Sequence, residues 1–569
     1  MKNMQARRQE MLLRANALYE AKEYARAAEV ATELLAALPG DAEMRYIRAA
    51  ALTELERYEE ARADIAQIRA VRPDHPGAAR QEIYIDRAEG KIRTQIAHLR
   101  TFIADLEQRI AAGDDIAYHT VFLASAYSML GEALTLTGES AAAIDAFLAS
   151  SRHETRPTQR AEEYSNALFA ANYLPARLRS SYTDLAHGYG ALYADVTPLA
   201  SRADAVRGHD RIRIGYISPD LRTHPVGKLI RPLLALHDRT RFAVCCYANC
   251  MEDVLSHALR ASADVWRNIQ GMPAAEVAAL VRTDEIDILV DLAGHTQNNC
   301  LSVLAHKPAP VQVTGIGYFN TTGLPAIDYM LSDVHVDPAG TTDPAFTEEI
   351  IRLPHSHFCY TLPEDLPPVA PPPMERNGYV TFGSFNNFSK VTDDVLLLWR
   401  WLLDNVPCSH LIVKSKLFDR AEGRELAAER FVRSGIPTER VEMREFSRGY
   451  LMEYADMDIA LDTFPYTGGI TTCEALAMGV PVITLRGESH GARFGESLLT
   501  NADLAELIAD TPADYVQIAA TLASSPETLR TLRANLRTIL AHAPLTDART
   551  YVRDVEAAYA EIWERFVHT

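Results

Sequence analysis

The sequence predicts a helical front followed by two α/β units, and three observations predict it. Residues from about 8 to 175 space their apolar side chains as helices do, are rich in Ala, Leu and Glu, and show no convincing strand. Beyond residue 207, short apolar strands alternate with helical stretches, twice over. Between those two α/β stretches lies Leu362 to Pro373, whose six prolines read as a stiff extended linker. The expected units are 1–205, 206–370 and 371–569.

Composition narrows the function. A chain of 569 residues with 48% hydrophobic content can bury several large cores. No apolar run reaches the roughly 18 residues of a membrane span, and no apolar signal core follows Met1 to Glu10, so no membrane association and no export are expected. Seven cysteines form no Cys-x-x-Cys pair, and the first 244 residues have none. That pattern fits reduced thiols in a cytoplasmic protein better than a disulfide framework or a zinc site. The net charge of -19 argues against a nucleic-acid partner, although a local basic groove stays open.

Within the front, Glu23-Tyr24-Ala25-Arg26-Ala27 recurs as Arg57-Tyr58-Glu59-Glu60-Ala61, and Tyr24 to Tyr58 and Pro39 to Pro73 are both 34-residue steps. The period, the small residue at the helix crossing and the terminating proline resemble the tetratricopeptide repeat. A third copy near Gly138 to Ala143 is out of register, so His75 to Gly113 is expected to be an insertion of irregular helices. Stacked helix pairs present a concave surface that suits another polypeptide.

In the first α/β unit, Ile212 to Ser218 is a strand followed by the loop Leu221 to Gly227, which carries His224. Proline at 225 keeps His224 extended, where it could act as a base or hydrogen-bond a phosphate or sugar. Ile286 to Leu292 is an apolar strand of the kind buried on both faces, and it runs into Gly294-His295-Thr296. Val311 to Gly317 leads to Tyr318. Ligands of doubly wound sheets bind at the carboxyl ends of strands, where these residues fall.

The second unit restarts with the strand Tyr379 to Phe385 and the loop Asn386 to Thr392. Lys390 in that loop could neutralise charge growing on a departing diphosphate. Further on, a short strand at 458–461 precedes Thr463-Phe464-Pro465-Tyr466-Thr467-Gly468-Gly469-Ile470-Thr471-Thr472, then a helix from Glu474 to Met478 stopped by Gly479-Val480-Pro481. Glycines allow close backbone approach, and the helix start offers free N–H groups and a favourable dipole to an anion. Thr471 and Thr472 add hydroxyls, and Glu474 could take a ribose hydroxyl. The bland alternative is an ordinary capped helix. Asp456-Met457-Asp458 spells a metal-binding Asp-x-Asp but sits where a helix hands over to a strand, so no metal is assigned to it.

Taken together, Gly215 to Asp220 with His224, Gly294-His295-Thr296, Pro308 to Gln312, Phe385-Asn386-Asn387 with Lys390, and Leu461 through Pro481 resemble the O-linked N-acetylglucosamine transferase family. Bacterial homologues and the Spindly-type protein O-fucosyltransferases of plants belong to the same group. The resemblance implies a GT-B core of two Rossmann-like domains and an inverting transfer, independent of metal or other cofactor, of a sugar from a nucleotide donor to Ser or Thr of polypeptides. It implies catalytic-centre roles for His224 and Lys390, with Asn387 a polar neighbour of the phosphates. Gly468, Gly469, Ile470, Thr471 and Thr472 would bind the diphosphate and Glu474 the ribose. His295 and Tyr318 would line the sugar side, and Phe446 and Arg448 complete the nucleotide-binding set. Arg448 departs from relatives that have a histidine there. The Asn386-Asn387 pair and the Thr-Phe-Pro-Tyr spelling lean towards the fucosyl-type sequences, so UDP-GlcNAc and GDP-fucose both stand as donors. A non-catalytic nucleotide-sugar-binding scaffold and a transferase acting on lipid or glycan are the rival readings; homo-oligomerisation stays open.

Overall fold

The computed structural model describes residues 2–73, 75–175, 182–201 and 208–568, so the expected boundary at 205/206 lies outside the described residues. The front consists of α1 (Lys2–Glu20), α2 (Tyr24–Ala37), α3 (Ala42–Glu54), α4 (Tyr58–Val71), α5 (Pro76–Glu89), α6 (Ile92–Ala111), α7 (Ile116–Thr137), α8 (Ser140–His153), α9 (Pro157–Ala171) and α10 (Tyr182–Ala191).

The 34-residue period runs further than the sequence suggested. α2, α4 and α6 begin at Tyr24, Tyr58 and Ile92, so the segment expected to be an irregular insertion is a third helix pair in phase with the first two. The three turns share one geometry: Lys22, Glu56 and Gly90 take φ of 61°, 58° and 79° just before the second helix. The third copy was hidden because it drops the tyrosine and proline that marked the others and keeps only the left-handed turn residue, here a glycine. Gly138 (φ 85°) makes the same turn between α7 and α8, displaced from the period by the longer helices α6 and α7.

The first sheet comprises β1 (Ile212–Ser218), β2 (Phe242–Ala248), β3 (Val265–Asn268), β4 (Ile288–Asp291), β5 (Val311–Gly315), β6 (Tyr329–Asp333) and β7 (Glu349–Leu353) in the order β3-β2-β1-β4-β5-β6-β7. The second comprises β8 (Thr381–Ser384), β9 (His410–Lys414), β10 (Val441–Arg444), β11 (Ile459–Leu461), β12 (Val482–Leu485) and β13 (Ile508–Ala509) in the order β10-β9-β8-β11-β12-β13. All pairings are parallel, with Ile214 opposite Ile288 in the first sheet and Phe382 opposite Ile459 in the second. Strand order therefore reverses between β1 and β4, and again between β8 and β11. A crevice opens at each such switch point.

Strand alternation assigns the two faces of the first sheet to different neighbours. Tyr216, Cys246 and Val290 join a core continuous with the second sheet. Ile217, Tyr247 and Leu289 join a core that includes α6, α7 and α8, so the helical front is fused to the sheet rather than tethered to it. The C-terminal helix Ala548–His568, counted with the second unit in the sequence, crosses back onto the first: Glu556 accepts from the Asp238 N–H at 2.7 Å and lies 2.9 Å from His237 Nδ1. The proline stretch is pinned as well, with Arg533 and Arg537 donating to the carbonyls of Ala370 and Pro367.

Gly323 sits at the seam between front and sheet with φ +67°, and a Cβ there would lie 2.0 Å from the Ala186 carbonyl oxygen in α10. Gly323→Ala is expected to cost about 2–3 kcal/mol through backbone displacement, read as a lower urea midpoint. An unchanged midpoint would show that the seam is loose.

Candidate active site

The loops after β1, β8 and β11 meet at one cleft of about 650 Å³. On its first-sheet side stands α11 (Pro225–Leu236), capped by His224. His224 is extended (φ -149°, ψ 155°), as proline at 225 requires, and its Nδ1 accepts the Val226 N–H at 3.3 Å. The Asp220 carboxylate lies 3.4 Å from the same nitrogen. With the Val226 N–H directed at Nδ1, the ring proton belongs on Nε2, and the histidine offers a donor. Burial, with Arg222 nearby, pulls its pKa down to about 4, so the ring is neutral at ordinary pH.

Opposite stands the helix Ile470–Ala477, longer at its start than the sequence suggested. The preceding turn is built around Asp462, a buried carboxylate that accepts the N–H of Thr463 (2.9 Å), the N–H of Gly468 (2.6 Å) and the Thr484 hydroxyl (2.8 Å). The Gly468 amide, expected to bind a diphosphate, is therefore committed to Asp462. Its glycine is needed for space, since a Cβ would lie 2.5 Å from Thr472 Oγ1. Thr472 is buried. The N–H groups of Gly469, Ile470 and Thr471 remain at a helix start that leaves them without intrahelical partners. A Cβ on Gly469 would meet nothing within 4 Å, so the backbone faces open space. Thr471 donates to Asn386 Oδ1 at 2.9 Å, and Asn386 reaches Asp462 at 3.5 Å, tying the β8 loop to the β11 turn.

Lys390 lies behind this turn rather than on the cleft wall. Its ammonium donates to the Thr467 carbonyl at 2.8 Å and sits 3.7 Å from the centre of the Tyr466 ring. Burial lowers its pKa, partly opposed by Asp462. Asn387 lines the cleft and caps the next turn, accepting the Ser389 N–H. Glu474 is buried, accepts the Tyr450 hydroxyl at 2.5 Å and has its pKa raised by desolvation, with Lys228 opposing the rise. Phe446 is half exposed on the cleft with the Lys416 ammonium 5.1 Å from its ring centre.

Three expected residues fall elsewhere. His295 and Tyr318, each 1% exposed, do not line the cleft. His295 bonds Ser165 in α9 and the Thr322 carbonyl, and Tyr318 bonds Tyr182 and Asn172. Both lock the front onto the first sheet, because the helices cover the strand ends from which they emerge. Arg448 is exposed and outside the cleft lining. Asp456 and Asp458 are also outside it, engaged by Arg376 and Arg444 and by the N–H groups of Met374 and Thr381 respectively.

Sequence reasoning missed Lys228, Lys414 and Lys416, which line the cleft. The signal was available. The chain has only eight lysines among 57 basic residues, and four of them, these three and Lys390, gather here. Leu136 of α7 also reaches the cleft, bringing the helical front to its rim.

Two Rossmann-type parallel sheets that meet at a cation-rich cleft, with helical repeats in front, form the GT-B class of glycosyltransferase core. Within that class, the chain belongs to glycosyl transferase family 41, whose profile matches residues 194–363 and 375–555. It is 40% identical over 410 residues to the Arabidopsis thaliana protein described as probable UDP-N-acetylglucosamine–peptide N-acetylglucosaminyltransferase SPINDLY, a match covering 70% of this chain and 45% of that one. It is 28% identical over 370 residues to SEC of the same plant, covering 63% and 37%. Among solved structures, a mutant O-GlcNAc transferase of Thermobaculum terrenum superposes with a TM-score of 0.75 at 29% identity, covering 99% of this chain and 98% of that one. The chain spans under half the length of the SPINDLY protein it matches.

Proposed function

We propose that this protein transfers N-acetylglucosamine from UDP-GlcNAc to Ser or Thr hydroxyls of polypeptides, with inversion and without a metal. The observation that carries the reading is the placement of the Lys390 ammonium on the carbonyl just before the open amides of residues 469–471, with His224 at the same cleft. The acceptor oxygen attacks the anomeric carbon as the bond to the diphosphate oxygen breaks. The hydroxyl proton passes to an oxygen of the leaving diphosphate or to water, and the nucleoside diphosphate is released. In this reading the amides and Lys390 stabilise the leaving diphosphate, Glu474 takes the ribose and His224 donates from Nε2 to position substrate. Polypeptide acceptors enter past the helical front, and a cytoplasmic setting fits the sequence.

His224→Gln keeps a donor near the Nε2 position. It is expected to retain activity within about tenfold, whereas His224→Ala falls roughly 100-fold. A general base at 224 would instead make both variants equally poor and give an acidic limb in the pH–rate profile of the parent.

GDP-fucose is the alternative donor, favoured by the Asn386-Asn387 pair and the spelling of residues 463–466. Titration calorimetry with UDP, UDP-GlcNAc and GDP-fucose separates them: a GDP-fucose preference replaces the first assignment. Transfer of label from the preferred donor then separates an enzyme from a scaffold, since binding without turnover in the parent would leave only the scaffold.

A further inference from the structure

The turn that presents the amides of residues 469–471 is held from two directions. From its own sheet, Asp462 takes the Gly468 N–H. The other anchor starts across the boundary between the two α/β units. Thr467 is fully buried, and its N–H and its hydroxyl both donate to one acceptor, the Gly491 carbonyl, at 3.2 and 3.0 Å. The Thr467 carbonyl and the Gly468 N–H belong to one planar peptide unit. That unit bonds Lys390 through its oxygen and Asp462 through its nitrogen.

Gly491 lies in the short turn His490–Ala492, and the first unit fixes that turn. His490 Nδ1 bonds the Asp337 carboxylate, and because a carboxylate accepts, Nδ1 carries the proton. Beyond the turn, Arg493 donates from Nε to the His335 carbonyl at 2.9 Å, and Ser497 donates to Asp333 at 2.8 Å. Asp333, Asp337 and His490 are all buried, so water does not compete for these bonds. Phe319 closes the remaining side. A Cβ on Gly491 would lie 3.2 Å from the Phe319 Cβ, and the Phe319 ring centre is 4.5 Å from that of Tyr466.

A buried polar network between two units can be plain cement. This one differs in where it ends. His490 adjoins the single acceptor that Thr467 uses for both of its donors, and among the described residues the second unit offers Thr467 no other. A displacement of about 1 Å beside a reacting group costs about 100-fold in rate. We infer that His490, clasped by Asp337 of the first unit, is a positioning residue. It fixes Gly491, and through Gly491 the Thr467 peptide that orients Lys390 and aims the amides of residues 469–471. The first unit thereby completes a site whose groups all belong to the second. The inference rests on reading those amides as the diphosphate seat, but the anchor itself is tested without donor or turnover.

The experiment is amide hydrogen exchange on the full, ligand-free chain. The amides of Thr467 and Gly468 are compared with those of β8, which lies between two strands and reports global opening. Phenylalanine at 490 keeps a ring without the donor, whereas asparagine places a donor near the Nδ1 position. In His490→Phe the turn amides are expected to exchange at least about tenfold faster relative to β8, and in His490→Asn to stay within about threefold of the parent. Should His490→Phe not fold with Asp337 left unpaired, the double variant Asp337→Leu/His490→Leu, which strands no charge, takes its place. Turn amides at the parental rate relative to β8, or an asparagine variant as fast as the phenylalanine one, overturn the inference. Calorimetry with UDP and GDP on the same samples reads the site. Whichever nucleotide binds the parent should bind His490→Phe about tenfold more weakly and recover in His490→Asn. Parental affinity in His490→Phe overturns the positioning role even where the turn has loosened. A parent that binds neither nucleotide removes the diphosphate seat instead, and the exchange rates still decide the anchor.

Discussion

Lys390→Ala is expected to lower kcat by about 10²–10³-fold while leaving the donor KM within a few-fold of the parent. The reason is where the charge is needed. Behind the cleft wall the ammonium is spent on the Thr467 carbonyl and the Tyr466 ring, so little ground-state binding is lost with it. Charge accumulates on the diphosphate as the glycosidic bond breaks, and there a preoriented cation in a dry setting has its largest effect. The pH dependence supplies a signature. Burial lowers the lysine pKa, and in the proposed mechanism it is the protonated form that acts. Activity is therefore full below that lowered pKa and declines as pH rises through it, earlier than an ordinary lysine would allow. The alkaline limb should vanish from the residual activity of Lys390→Ala. A variant with parental kcat, or with the limb intact, removes Lys390 from the chemistry.

Asp462→Ala is expected to cost roughly 3–5 kcal/mol and to abolish donor binding. The carboxylate holds two backbone amides and one hydroxyl away from water. Removing it strands those donors, withdraws the charge facing Lys390 and frees the turn that aims the amides of residues 469–471. Asp462→Asn keeps the volume and one acceptor, so it should lose less stability, with donor affinity reduced rather than absent. Urea melts and donor calorimetry on the same samples check this. Parental donor affinity in Asp462→Ala would mean that the turn does not bind the diphosphate.

Much of the site was legible because its determinants are local. Proline at 225 dictates an extended His224, and Gly469 ahead of Ile470-Thr471 dictates an open helix start, whatever surrounds them. Gly468 shows the limit. It has the same local signature as Gly469, yet its amide is taken by Asp462, which only the folded turn brings back to it. His295 and Tyr318 fail for a related reason. Sequence puts them at strand ends, but which strand ends open to the cleft depends on what covers the sheet, and here α9 and α10 cover those. Lys228, Lys414 and Lys416 lie on different elements, and no spacing rule connects them.

The sequence by itself determined the first two steps of the helical period, the two parallel sheets, and the local geometry of the loops at Pro225 and Gly469, since these follow from side-chain periodicity and from backbone preferences at glycine and proline. The tertiary structure alone decided that the C-terminal helix returns to the first sheet through Glu556, that the helical front shares its core, and that the loops after β1, β8 and β11 converge on one cleft. Those outcomes depend on contacts between residues hundreds of positions apart, formed where complementary apolar faces meet, and no local pattern encodes such a meeting.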